Sequence, residues 1–230
     1  MRRYILKGTL NTRDIGGYPT GTGIFTQFGR FLRSDAPCEL SDSDLELMCG
    51  MGITTVLDLR SAGEVSRRPS SFAADSRFKY HHLHLNDKLR ELNGEEDIPV
   101  GYFRMVDESD TMCEIMKIIA AAPEGVLFHC AAGKDRTGCT AALLLDLAGV
   151  PLVDIIADYQ VSETYIKVLW RKLQVEFPDI QKFFGQSRPE YIEGFMNRVY
   201  ENYGGARELL LSAGVTEDEL GKILEKLLGE

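Results

Sequence analysis

No stretch of this sequence approaches the roughly 20 consecutive apolar residues that a membrane span needs, and no segment repeats another. Positive charge is also short. The 26 Lys and Arg stand against 35 Asp and Glu, a formal charge of −9, which excludes general electrostatic attachment to nucleic acid and argues against stable membrane association. Cysteine is too sparse and irregular for a disulfide framework, with five residues at Cys38, Cys49, Cys113, Cys130 and Cys139 in a chain long enough to bury a core unaided. That usage suits a reducing, cytoplasmic setting. The first ten residues carry Arg2 and Arg3 but no apolar run before Gly8 and Asn11, a poor secretory signal. With 230 residues, 44% hydrophobic, 27% charged and 9% aromatic, the chain has the make-up of one globular α/β domain.

The patterning predicts an order of elements. Residues 16–23 are turn material, and Ile24-Phe25 and residues 29–33 flank them as short strands, which together predict a small N-terminal β-hairpin. Ser41 to Asp44 caps an apolar stretch over 45–48, followed by a buried strand over 53–59. Further strands are expected over 78–85 and 126–128, with a helix over 111–122 between them. A polar loop leads into a buried helix over 140–148, and helical spacing continues through 152–175, 189–203 and 216–228, the last opening on a Thr216/Glu219 capping box. The expected fold is α/β: a central, mostly parallel sheet of about four or five strands, helices on both faces, and a helical C-terminal part. A single domain over 1–230 is expected, with the region about 160–200 as a candidate helical lid.

Chemistry concentrates in residues 126–138. A buried strand ends directly in Cys130, and a loop of small residues, Ala131, Ala132 and Gly133, leads through Lys134 and Asp135 to Arg136, Thr137 and an apolar helix. A strand, loop and helix N-terminus in series aim successive backbone N–H groups at one spot, where the helix dipole adds positive potential. Such a spot suits a phosphate dianion. A cysteine at its base is expected as a stabilised thiolate nucleophile, and a planar guanidinium can follow phosphate oxygens as charge moves to sulfur. Thr137 can hydrogen-bond the sulfur, or simply cap the helix. A nucleotide P-loop is excluded, since Phe128 stands where its first glycine would be and Asp135 follows the lysine.

The stretch His129-Cys130-Ala131-Ala132-Gly133-Lys134-Asp135-Arg136-Thr137-Gly138 resembles the signature of the cysteine-dependent protein tyrosine phosphatase superfamily. Asn11-Thr12-Arg13-Asp14-Ile15-Gly16-Gly17-Tyr18, Arg33-Ser34-Asp35 and Asp58-Leu59-Arg60-Ser61 with Glu64 narrow the likeness to the microbial tyrosine and phosphoinositide phosphatases. The resemblance implies a phosphotyrosine phosphatase-like fold and a two-step reaction through a phosphocysteine on Cys130, with Arg136 as clamp and no metal or cofactor. There is no Trp-Pro-Asp triplet, and the sole tryptophan is Trp170, so the general acid must lie elsewhere. Asp135 is the first candidate, Asp58 the second and Asp87 the third. Ala131, Ala132, Gly133, Lys134, Thr137, Asp58 and Arg60 form the expected substrate-binding set, although Asp58 and Arg60 could equally form a strand-end salt bridge with Glu64. Asn11, Arg13 and Asp14 are expected to brace the loop.

Lys134 accompanies phosphoinositide activity in the resembling family, which makes a phosphotyrosyl protein the first substrate expectation and a phosphoinositide or dual-specificity role the alternative. A non-catalytic phosphate-recognition module and an arsenate reductase-like enzyme are more distant rivals. His82 and His84 share a strand face, but two histidines without a third clustered ligand are expected to be ordinary hydrogen-bonded residues. His129 is expected to brace the loop from the opposite strand face.

Overall fold

The computed structural model describes residues 2–86, 92, 94–107 and 110–229. Five strands form one sheet: β1 (Arg13–Asp14), β2 (Phe31–Ser34), β3 (Ile53–Asp58), β4 (Lys79–His82) and β5 (Gly125–His129). Their spatial order is β1-β2-β5-β3-β4, with β1 antiparallel to β2 and every other pair parallel. Strand β5 is central, which is why it reads as an unbroken apolar run. The helices are α1 (Asp42–Gly50), α2 (Ala62–Arg67), α3 (Ile98–Asp107), α4 (Asp110–Ala121), α5 (Asp135–Leu147), α6 (Leu152–Glu176), α7 (Pro189–Tyr203), α8 (Ala206–Ser212) and α9 (Glu217–Leu228).

Alternation along the strands sorts the core into two layers. Phe31, Leu57, Val126 and Phe128 face a large cluster completed by α3, α4, α5, α7, α8 and α9. Leu32, Val56 and Leu127 face the other way, onto Leu45 and Met48 of α1 and onto Phe72 and Phe78. The helix starts follow their caps. Ser41 with Asp44, Ser61 with Glu64 and Thr216 with Glu219 each form a reciprocal capping box. Among the described residues, no helix is long and apolar enough to cross a membrane.

The structure corrects three expectations of detail. The N-terminal antiparallel pair joins β1 to β2, while Phe25 makes only an isolated bridge to Pro19. Asp14 is the reason, since its carboxylate accepts from the amides of Gly16 at 2.8 Å and Gly29 at 2.7 Å and closes the intervening loop. Helix α5 begins at Asp135 rather than 140, so Asp135, Arg136 and Thr137 form its first turn. Helices α2, α3 and α8 were not expected. Pro99 and Gly101 mask α3 as a loop, although Ile98, Tyr102, Met105 and Val106 carry the spacing of a buried helical face.

Leu127 is fully buried in the central strand. Leu127→Ala is expected to cost about 2–5 kcal/mol, read as a lower urea midpoint at unchanged slope.

Candidate active site

Three parallel strands end side by side at one edge of the sheet, where Ser34, His129 and Asp58 lie in register. Cys130 follows β5 immediately and is 2% exposed, at the base of the loop that runs to α5. The loop turns at Gly133, whose φ is +67° and where a Cβ would sit 2.6 Å from the Asp35 amide nitrogen, so only glycine fits.

The loop carbonyls are gripped from behind. Asn11 Nδ2 donates to the carbonyl of Ala132 at 2.9 Å and of Gly133 at 3.1 Å, Arg33 Nη2 donates to Gly133 at 2.8 Å, and the Ala36 amide donates to Ala131 at 3.2 Å. In a trans peptide the N–H points opposite to the C=O. Holding these carbonyls against the protein therefore turns the following amides toward the mouth. No side chain caps the start of α5, which leaves its first-turn amides available to an anion as well.

Arg33 is itself held by Asp158 of α6. That carboxylate accepts from Arg13 Nε at 3.0 Å, from Arg33 Nη1 and from the Tyr18 hydroxyl at 3.2 Å. Arg13 also donates to Asn11 Oδ1 and to Ser162 Oγ, the latter at 3.0 Å. Burial opposes the Asp158 charge, but the two guanidiniums outweigh it and hold its pKa at about 2. Asn11 and Arg13 thus brace the loop as expected; Arg33 and Asp158 complete the brace, and Asp158 lies too far away in sequence for any spacing to reveal.

Arg136 is 6% exposed and makes a two-pronged ion pair with Glu64, Nη1 to Oε2 at 2.8 Å and Nη2 to Oε1 at 2.9 Å. Glu64 also caps α2, accepting from the Ser61 amide at 2.8 Å and hydroxyl at 2.9 Å. Burial opposes its charge too, and Arg136 overcomes this to hold the Glu64 pKa at about 2. Asp58 and Arg60, expected to contact substrate, instead turn toward each other. Arg60 Nε and Nη2 donate to the two Asp58 oxygens at 2.8 and 2.6 Å, Tyr80 donates to Asp58 at 2.6 Å, and Arg60 Nη1 reaches the Arg68 carbonyl at 2.8 Å. Both are buried. Glu64 is therefore the partner of the loop arginine rather than of this pair.

Asp135 sits half-buried in the first turn of α5. Tyr102 of α3 donates to its Oδ1, and Lys134 Nζ lies 3.2 Å from the same oxygen. Burial and the neighbouring carboxylate push the Tyr102 phenol well above its ordinary range, so it stays a donor. Tyr102 was not anticipated, because it belongs to the unrecognised helix α3. The Lys134 ammonium also donates at 2.8 Å to the carbonyls of Phe184 and Gln186, so it is engaged within the protein rather than free in the loop. Thr137 Oγ1 is buried and makes no hydrogen bond, to sulfur or otherwise, among the described residues. Asp87 lies outside the described residues.

His129 is fully buried with Nε2 3.6 Å from Asp58 Oδ2. Burial lowers its pKa to about 4, more than Asp58 restores, so the ring is neutral near pH 7. His82 Nε2 is tied to the Arg60 carbonyl at 2.7 Å. Among the described residues, no three His, Cys, Asp or Glu side chains converge as metal ligands would.

The profile described as "Tyrosine phosphatase family" matches residues 4–229. A tyrosine-protein phosphatase of Nostoc commune is 32% identical, over 86% of this chain and 74% of that protein. The triple specificity protein phosphatase PtpB of Mycobacterium tuberculosis is 25% identical, over 97% of this chain and 98% of that protein. Among solved structures, P. aeruginosa TpbA in complex with phosphotyrosine superposes with a TM-score of 0.45 at 13% identity, over 84% of this chain and 91% of that chain.

Asp158→Ala leaves two buried guanidiniums without their carboxylate and is expected to lower stability by about 3–5 kcal/mol, measured by urea unfolding at pH 7. For His129 the sign runs toward acid lability. Its pKa falls from 6.5 to about 4 on folding, so between these values the unfolded chain binds a proton that the folded chain refuses. Its contribution is complete above pH 6.5 and is lost as pH drops toward 4. Unfolding midpoints of wild type and His129→Asn across this window are expected to show a shallower slope for the variant; equal slopes would remove His129 as the cause.

Proposed function

The chain belongs to the tyrosine phosphatase family and is a phosphate monoester hydrolase, and from that premise we propose that phosphotyrosine in proteins is its substrate, with Cys130, Arg136 and Asp135 carrying the reaction. One observation supports this above the others. Cys130 lies at the focus of a loop whose carbonyls are fastened behind it, so the phosphate meets amides, the α5 terminus and Arg136 together. These donors stand ready before charge develops, which is where transition-state stabilisation has most effect.

In the first step the Cys130 thiolate attacks phosphorus, the S–P bond forms and the P–O bond to the tyrosyl oxygen breaks. The leaving oxygen takes a proton from the Asp135 carboxyl. Arg136, kept in plane by Glu64, follows the equatorial oxygens with its guanidinium. In the second step water attacks phosphorus and passes a proton to the Asp135 carboxylate, while the S–P bond breaks to return the thiolate and release inorganic phosphate. Tyr102 and Lys134 keep Asp135 oriented for both transfers. Ala131, Ala132, Gly133 and Thr137 serve the substrate through backbone amides, and Asp58 with Arg60 acts only by supporting the strand ends. Because the Lys134 ammonium is engaged with 184–186 and Asp135, phosphotyrosine is preferred to phosphoinositide here. We also read residues 1–230 as one phosphatase domain and place the protein in the cytoplasm, where its five free thiols are at home.

The test is hydrolysis of aryl phosphates with chelator present. Wild type is expected to turn over, Cys130→Ser to be inactive, and Arg136→Lys to lose about 10²–10³ in kcat. Asp135→Asn is expected to lose about 10²-fold, more for poor leaving groups than for good ones. A wild type that binds vanadate but hydrolyses nothing would sink the catalytic reading.

A further inference from the structure

Next to the reaction loop lies a cleft of ≈ 450 Å³ between the C-terminal half of α6 and residues 182–187, lined by Lys167, Trp170, Arg171, Lys182, Gln186 and Ser187. The Lys134 ammonium joins loop and cleft, since the two carbonyls it binds, Phe184 and Gln186, belong to the segment that forms one wall. The backbone at Gly185 presses on the indole of Trp170, where a Cβ would fall 2.2 Å from the ring.

The charges in this cleft are unbalanced. The side chains of Lys167, Arg171 and Lys182 make no ion pair or hydrogen bond among the described residues. Lys167 and Arg171 stand one helical turn apart, an arrangement that repels unless an anion lies between them. The single carboxylate in the lining, Glu163, already accepts from the Ser187 amide at 2.8 Å. A positive excess thus faces one hollow on a chain of formal charge −9. Ser187 supplies an independent sign: it is 2% exposed and its Oγ has no hydrogen-bond partner among the described residues. A buried hydroxyl left unpaired is unfavourable, and a ligand oxygen would relieve it.

We propose that this cleft is a second anion subsite, taking an acidic or phosphorylated side chain that flanks the phosphotyrosine of a peptide substrate. It rests on the loop being the catalytic site. A peptide is favoured because Gln160, Gln174 and Gln186 also line the cleft and offer amide groups suited to an extended backbone. An anionic bilayer would be repelled by the overall negative charge of the chain.

Trp170, the sole tryptophan, makes the test local. In Cys130→Ser, its emission is followed while adding a phosphotyrosyl peptide with glutamate or phosphoserine flanks, the same peptide with neutral flanks, or a soluble inositol polyphosphate. The acidic peptide is expected to change the emission at lower concentration than the neutral one, and added salt to erase the difference. In the active enzyme, kcat/KM for the acidic peptide is expected to exceed that for the neutral peptide by about 10-fold, as for a few exposed ion pairs. This ratio should collapse in Lys167→Ala/Arg171→Ala/Lys182→Ala, and being a ratio it is unaffected by any loss common to both peptides. An unchanged ratio in the triple variant overturns the subsite, and a Trp170 response to the inositol polyphosphate but to neither peptide overturns the peptide assignment. Failure of wild type to hydrolyse aryl phosphate, with the Trp170 titration intact, counts against the catalytic reading and not against the cleft.

Discussion

The site depends on a grip on three backbone carbonyls. Ala131, Ala132 and Gly133 have their oxygens fastened by the Ala36 amide, Asn11 and Arg33, and the planarity of the peptide converts that grip into outward-facing amides. Without it, a loop of two alanines and a glycine would have no reason to keep donors aimed at one point. The grip is in turn held by Asp158, which orders Arg13 and Arg33 deep in the protein. A helix from the C-terminal third therefore sets the shape of a loop that begins at the centre of the sheet.

Charge follows the same logic of local exceptions. The chain is acidic overall, yet around the loop each carboxylate is assigned to a particular partner: Glu64 to Arg136, Asp58 to Arg60, Asp158 to two arginines. Glu64 does two jobs with one carboxylate, closing the α2 cap and squaring the guanidinium. Asp135 differs in being half-buried at the mouth, with a phenol and an ammonium for neighbours. That position is compatible with moving a proton, whereas the inward-facing Asp58 is not placed to meet a leaving group.

The comparison of Asp58 with Asp135 also marks how far the sequence could be read. Both are carboxylates in a matching motif, and nothing in their spacing distinguishes a scaffold ion pair from a group at the mouth. The parallel strands β3, β4 and β5, the cap of α1, the capping box of α9, and the helices α4, α6 and α7 were legible because local periodicity and caps determine them. Helix α3 was not, since Pro99 and Gly101 are breakers by composition although packing against α7 holds them in a helix. With α3 went Tyr102, the residue that orients Asp135.

Local chemistry marked the loop: an apolar strand running into Cys130, small residues, and Arg136 just ahead of an apolar helix can be recognised from order alone, because strand, turn and helix are consecutive. Tertiary structure decided which side chains serve that loop. The pairings Asn11 with Ala132, Arg33 with Asp158, Glu64 with Arg136, Tyr102 with Asp135 and Lys134 with Gln186 span 33 to 125 residues of chain. Contacts of that range are settled by how helices pack on the sheet, and no short-range pattern encodes them.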